Sequence, residues 1–181
     1  MIDILKKEIL ESIQVKQLLL DSSDNLKLIE ELVAECIKSL KNGGKIIFCG
    51  NGGSFADSQH LTAEFISKLR FDRNPLPAIS LGTNSSNLTA IGNDYGFENV
   101  FSRSVTAFGS SGAVLLAIST SGNSQNILKA IEAAHLKKMS VIGLTGACEG
   151  EMDTLCDKIF LIPSKSSERI QECHIKIIHT L

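Results

Sequence analysis

His60 and Glu64 stand four residues apart in a stretch predicted to be helical, so they share one face. An imidazole and a carboxylate at that spacing suit two ligands of one metal ion, or an acid–base pair. An arbitrary pair of this kind is more often a surface histidine beside a solvated glutamate. Position shifts the balance, because their helix begins at a small, polar, glycine-rich stretch, Gly50-Asn51-Gly52-Gly53-Ser54. A second polar stretch, Ser119-Thr120-Ser121-Gly122-Asn123-Ser124, follows an apolar run and precedes another helical pattern. Its hydroxyls can donate hydrogen bonds, and Gly122 lets the backbone come close. The following helix presents free N–H groups and the positive end of its dipole, so the loop can cradle a phosphate. Such residues also make ordinary turns and caps. Four side-chain hydroxyls within six residues are more than one cap requires.

The last helical stretch, from Glu168 to Leu181, adds Gln171, His174 and His179. At about 100° per residue, Ile170, Cys173, His174 and Ile177 fall on one stripe and Gln171, Ile175, Ile178 and His179 on another. A histidine on an apolar stripe is usually a satisfied core residue, which is one reading of His174. Gln171 and His179 could reach one site together. Spacing alone does not choose between the two histidines. The first loop lacks the Gly-Lys-Ser/Thr ending of a P-loop and the second half of a dinucleotide fingerprint, so nicotinamide chemistry has little support.

Helices and strands must position these groups. Residues 1–43 read as a helical pair: apolar residues recur at three-to-four spacing, Asp21-Ser22-Ser23-Asp24 supplies a cap, and Asn42-Gly43-Gly44 a stop. Residues 44–181 alternate short apolar runs with helix-length segments. The runs are Lys45–Cys49, Ala78–Leu81, Ala113–Ile118, Ser140–Leu144 and Lys158–Ile162. Runs apolar on both faces indicate βαβ units and a covered sheet. The expected α/β fold is a doubly wound, five-stranded parallel sheet with an N-terminal helical extension, in one domain. In such sheets ligands bind beyond the carboxyl ends of the strands, where both polar loops fall.

Bulk composition removes several function classes. The chain has 181 residues, 43% hydrophobic and 21% charged, with a net charge of -2. No long Lys/Arg cluster interrupts that balance, so neither nucleic acid nor a membrane is an expected partner. The N-terminus mixes charge into its apolar pattern, unlike a signal peptide, and no run approaches a spanning helix. Five scattered cysteines, Cys36, Cys49, Cys148, Cys156 and Cys173, read as reduced core residues of a cytoplasmic protein.

Taken in series, Asn51-Gly52-Gly53-Ser54, Ala56-Asp57, His60, Ala63-Glu64, Asn93-Asp94-Tyr95-Gly96, Ser119 to Ser124, Arg169-Ile170-Gln171-Glu172 and Ile178-His179 extend over essentially the whole chain. The series resembles the phosphoheptose isomerases of the sugar isomerase (SIS) domain family. That resemblance implies a flavodoxin-like SIS fold. It also implies conversion of sedoheptulose 7-phosphate to D-glycero-D-manno-heptose 7-phosphate, the first step of heptose precursor synthesis for lipopolysaccharide or another surface polysaccharide. It further implies one zinc ion per subunit held by His60, Glu64, Gln171 and His179, and it is this likeness that selects His179. By the same likeness Glu64 and His179 are catalytic; Asn51, Gly52, Gly53, Glu64, Asn93, Asp94 and Gln171 hold the sugar; and Ser119, Thr120, Ser121 and Ser124 hold its phosphate. A glutamate held on a metal is a poorer base, so Glu64 is either bound part of the time or mainly a ligand. Lys68 and Arg70 are candidates for a cation near the phosphate. The family suggests a homotetramer with sites shared between subunits. The competing reading is a non-catalytic sugar-phosphate sensor or replication-initiation partner on the same domain, which would keep the hydroxyl loop and lose the acid–base residues.

Overall fold

The computed structural model describes residues 1–147 and 149–180; Cys148 and Leu181 lie outside the described residues. Helices α1 (Ile2–Asp21) and α2 (Ser23–Lys41) open the chain. They part at Ser22, whose side chain accepts a hydrogen bond from the N–H of Asn25 at 3.2 Å and caps α2. There follow β1 (Ile46–Gly50), α3 (Gly52–Ile66), β2 (Ala78–Ser80), α4 (Ser85–Tyr95), a 3-10 turn (Phe97–Asn99), α5 (Val100–Phe108) and β3 (Val114–Ile118). The chain continues through α6 (Gln125–Leu136), β4 (Ser140–Gly146), α7 (Met152–Leu155), β5 (Lys158–Ile162) and α8 (Ser167–Ile178).

Among the described residues the strands form one five-stranded sheet in the order β2-β1-β3-β4-β5, and every pairing is parallel. Every residue of β1 and of β3 is buried, which is why those strands read as unbroken apolar runs. Alternate side chains serve opposite layers. Ile46 and Phe48 of β1 join residues of α1, α2, α3 and α8, where the rings of Phe48 and Phe65 meet edge to face at 5.8 Å. Ile47 and Cys49 join α5, α6 and Met152 of α7 on the other face. Helices on both faces make the sheet doubly wound. Strand order reverses between β1 and β3, which lie side by side with Gly50 opposite Ile118, so the two polar loops emerge together at the switch point.

The elements differ in detail from the expected spans. Strand β4 runs on to Gly146, two residues past the expected end, because Thr145 and Gly146 pair with Leu161 and Ile162. Helix α8 stops at Ile178 instead of running to the end. His179 is its C-cap at ψ −7°, its N–H still bonded to the Ile175 carbonyl at 3.0 Å. Residues 67–77 cross from α3 to β2 under Arg73, whose guanidinium donates to the carbonyls of Glu64 and Phe65 at 2.8 Å each. Those carbonyls belong to the last turn of α3, so Arg73 satisfies groups the helix leaves open. No helix of the described residues is long and apolar enough to cross a membrane.

Candidate active site

Helices α3 and α8 pack against each other on one side of the sheet, and two levels of contact join them. At the lower level the C-cap His179 meets His60, with Nε2 atoms 3.0 Å apart and rings edge to face. Glu64, one turn along α3, brings Oε1 to 3.6 Å from the same His60 nitrogen. One donor atom from each of the three lies within 4.8 Å of the others. Tetrahedral zinc with bonds of about 2.0–2.1 Å sets its ligand atoms about 3.3 Å apart. The observed 3.0 Å and 3.6 Å separations fall either side of that, and the N/O donor set fits a catalytic zinc. Burial first, then the neighbouring His60, hold the His179 imidazole below its ordinary pKa.

At the upper level, about two helical turns along both helices, Gln171 faces Gly53. A Cβ at Gly53 would fall 2.5 Å from Gln171 Oε1 and 2.6 Å from Nε2, so the missing side chain is what lets the amide approach. Gln171 is thereby placed on the glycine loop at the start of α3.

The hydroxyl loop is built as a closed polar turn. Ser119 Oγ lies 3.1 Å from Ser124 Oγ and 3.4 Å from Ser121 Oγ, and Gly122 takes a φ of 68° that other residues avoid. The Thr120 carbonyl accepts from the Gly146 N–H at 3.2 Å, and Asn123 Oδ1 accepts from the Glu151 N–H at 2.9 Å. Ser124 is the N-cap of α6 but, among the described residues, makes no side-chain capping bond. The open N–H groups and positive dipole end therefore remain available to an anion. The glycine loop meets this turn through Asn51. Its Nδ2 donates to Asn126 Oδ1 at 2.8 Å and its Oδ1 accepts from Asn126 Nδ2 at 2.8 Å.

Two hollows open onto these groups. One, of about 680 Å³, is lined by Asn51, Ser124, Asn126 and Lys129 with Phe97 and Glu98. The other, of about 330 Å³, is lined by Glu64, Arg70, Arg73, Phe71 and His179 among others. Arg70 thus lies on the His179 side, while Lys129 is the cation beside Ser124; it pairs with Glu98 at 3.6 Å and donates to Asn99 Oδ1 at 3.3 Å.

The sequence candidates separate accordingly. His60, Glu64 and His179 come together; Gln171 meets Gly53; Asn51 and the Ser119–Ser124 turn share the switch point. Asn93 and Asp94 are exposed on the last turn of α4 and hydrogen-bond to each other at 2.7 Å. His174 is fully buried, its Nε2 3.3 Å from the Thr145 carbonyl, and burial pushes its pKa down to about 4. It is the core histidine of the pair. Asn126 and Lys129 were not foreseen. Asn126 was detectable as a polar residue in a helical stripe with Ala130 and Ala133, since a buried polar side chain must be bonded. Lys129 carried no sequence signal beyond its charge.

A profile of the SIS domain matches residues 12–146. A phosphoheptose isomerase of Aneurinibacillus thermoaerophilus is 49% identical over 179 residues, covering 99% of this chain and 90% of that one. A solved phosphoheptose isomerase from Neisseria gonorrhoeae superposes with a TM-score of 0.92 at 41% identity, over 98% of this chain and 94% of that one. The corresponding Francisella tularensis structure gives a TM-score of 0.94 at 37% identity, over 99% of this chain and 94% of that one.

Proposed function

The chain belongs to the SIS-domain family and, within it, to the phosphoheptose isomerases, and we propose that it converts sedoheptulose 7-phosphate to D-glycero-D-manno-heptose 7-phosphate for surface polysaccharide such as lipopolysaccharide. The observation that carries this reading is the His60–Glu64–His179 group on α3 and α8, with α3 starting at the glycine loop that shares the switch point with the hydroxyl-lined N-terminus of α6.

Aldose–ketose isomerisation moves a proton between C1 and C2 through an enediol(ate), so it needs a base, an acid and stabilisation of a developing oxyanion. The Glu64 carboxylate takes the proton from one carbon and returns it to the other. The His179 imidazole, whose pKa burial and the neighbouring His60 hold below its ordinary value, gives and takes the oxygen-bound proton. Ser119, Thr120, Ser121 and Ser124 with the α6 N-terminus hold the phosphate at the unreactive end. Asn51, Gly52, Gly53, Asn93, Asp94 and Gln171 hold the sugar and fix which carbons face Glu64. One zinc ion per subunit, held by His60, Gln171 and His179, and by Glu64 for the part of the time when that carboxylate is not carrying the proton, would polarise the carbonyl and the adjoining hydroxyl when bound.

A homotetramer with sites at subunit interfaces is part of the same proposal. It is supported by α1, where Val15 is the one buried residue of the helix while Ile4, Ile9, Leu10, Ile13 and Leu18 are exposed. Asn93 and Asp94 on the exposed α4 would reach substrate in that assembly. A cytoplasmic location is supported by Cys36, Cys49, Cys156 and Cys173, all free thiols.

The test is direct. Purified protein incubated with sedoheptulose 7-phosphate is expected to form the aldose, to lose that activity in a chelator, and to regain it with zinc. Binding of the sugar phosphate without any aldose, in all metal conditions, would instead identify a sensor.

A further inference from the structure

Among the described residues, the mutual pair of carboxamides at the switch point is the one polar contact that ties the glycine loop to the hydroxyl-loop helix through side chains on both sides. Asn51 is the N-cap of α3, yet among the described residues its side chain makes no capping bond to that helix. Its amide is turned across the crevice and spends one N–H and its carbonyl on Asn126, at 2.8 Å each. Asn126 sits in the first turn of α6, two residues past Ser124, and only 3% of it is exposed. Two bonds in a ring fix the rotation and the orientation of the Asn51 amide, where a single bond would leave it free to turn. What remains of Asn51 is one N–H and one carbonyl lone pair, and both Asn51 and Asn126 line the hollow that holds Ser124.

We propose that Asn126 is a positioning residue: it orients the Asn51 amide toward the sugar and sets the distance between the sugar-binding and phosphate-binding loops. The proposal deepens the isomerase reading and rests on it. Asn126 acts through Asn51 and through the spacing of β1 and β3 loops, without donating to the reacting carbons. Sugar and phosphate are parts of one molecule, so a loosened spacing penalises the whole substrate and spares its fragments. Inorganic phosphate, which occupies the hydroxyl loop alone, reads the difference.

The experiment compares wild type, Asn126→Ala and the isosteric Asn126→Asp, which keeps an acceptor for Asn51 Nδ2 but replaces the donor with a second oxygen facing Asn51 Oδ1. Both variants are expected to lose about tenfold or more in kcat/KM for sedoheptulose 7-phosphate, mainly through KM, because Asn126→Ala loses both bonds and Asn126→Asp loses one and sets two oxygens against each other. Inhibition by inorganic phosphate is expected to change by less than about threefold in Asn126→Ala, whereas Asn126→Asp, which buries a negative charge in the first turn of α6, should weaken phosphate as well as substrate and lower Tm. Equal weakening of substrate and phosphate in Asn126→Ala, or a loss in that variant confined to kcat that tracks Tm, would overturn the proposal. Should the variants not fold, side-chain amide exchange in the wild type decides: slow exchange at both Asn51 and Asn126 supports the pair, and fast exchange at either overturns it. If wild type turns over no substrate at all, the isomerase reading fails first, and the same comparison is read from sugar-phosphate binding by calorimetry.

Discussion

Replacing Gly53 with alanine separates stability from function. The new Cβ would stand 2.5 Å, 2.6 Å and 2.7 Å from Oε1, Nε2 and Cδ of Gln171, roughly 1 Å inside ordinary contact. All three atoms lie at the far end of a flexible side chain, so the amide can swing away without backbone strain. Gly53 is the second residue of α3, so alanine gains there at most about 0.5 kcal/mol, the low end of its mid-helix advantage over glycine. The displaced amide gives up packing against Gly53, which costs about the same or less. The two terms nearly cancel, and the expected change in unfolding free energy is within about 1 kcal/mol of zero. Function does not enjoy that cancellation. With Gln171 displaced, zinc affinity and turnover should each fall about 10–100-fold, the usual cost of disturbing a group that supports a metal site. Urea titration, zinc titration and aldose formation on the same preparation measure all three. A loss of more than about 3 kcal/mol in stability, or full activity with unchanged zinc affinity, would refute the reasoning.

Acid should reveal His174. Its pKa is about 4 in the folded chain against roughly 6.5 unfolded, so between those values the unfolded state binds a proton that the folded state does not. Stability must therefore fall as pH drops through that window. Wild type should lose roughly 2–3 kcal/mol between pH 7 and pH 4.5 that His174→Gln does not, by urea unfolding at the two pH values. An equal acid loss in both proteins would place the sensitivity elsewhere. Leu10→Asp on the exposed stripe of α1 should lower the mass seen by light scattering while far-ultraviolet circular dichroism stays unchanged, and an unaltered assembly would remove α1 from the interface.

The strands were legible because burial on both faces forbids polar interruptions: β1 and β3 could be read almost to the residue, and β5 spans the expected Lys158–Ile162. Boundaries set by pairing or capping were not legible. The extension of β4 depends on β5 lying alongside, and the stop of α8 at Ile178 depends on the backbone turn of His179. At the site, the spacing of His60 and Glu64 carried its own signal, because four residues on a helix is a local relation. Bringing His179 to His60, 119 positions away, is a property of how α3 packs on α8, and spacing could not choose it over His174. The Asn51–Asn126 pair escaped for the same reason, spanning 75 positions across two strands. Lys129, not Lys68 or Arg70, lines the hollow with Ser124, which follows from the fold of α6 against the 3-10 turn.

The central claim is that Glu64 moves the carbon-bound proton. It is tested most directly by single-turnover conversion of sedoheptulose 7-phosphate in deuterated water, comparing zinc-loaded wild type with Glu64→Gln. Wild type should place solvent deuterium on the carbon that receives the proton, while the variant should bind substrate and fall at least about 10³-fold in both exchange and aldose formation. Exchange and turnover at wild-type rates in Glu64→Gln would contradict the account.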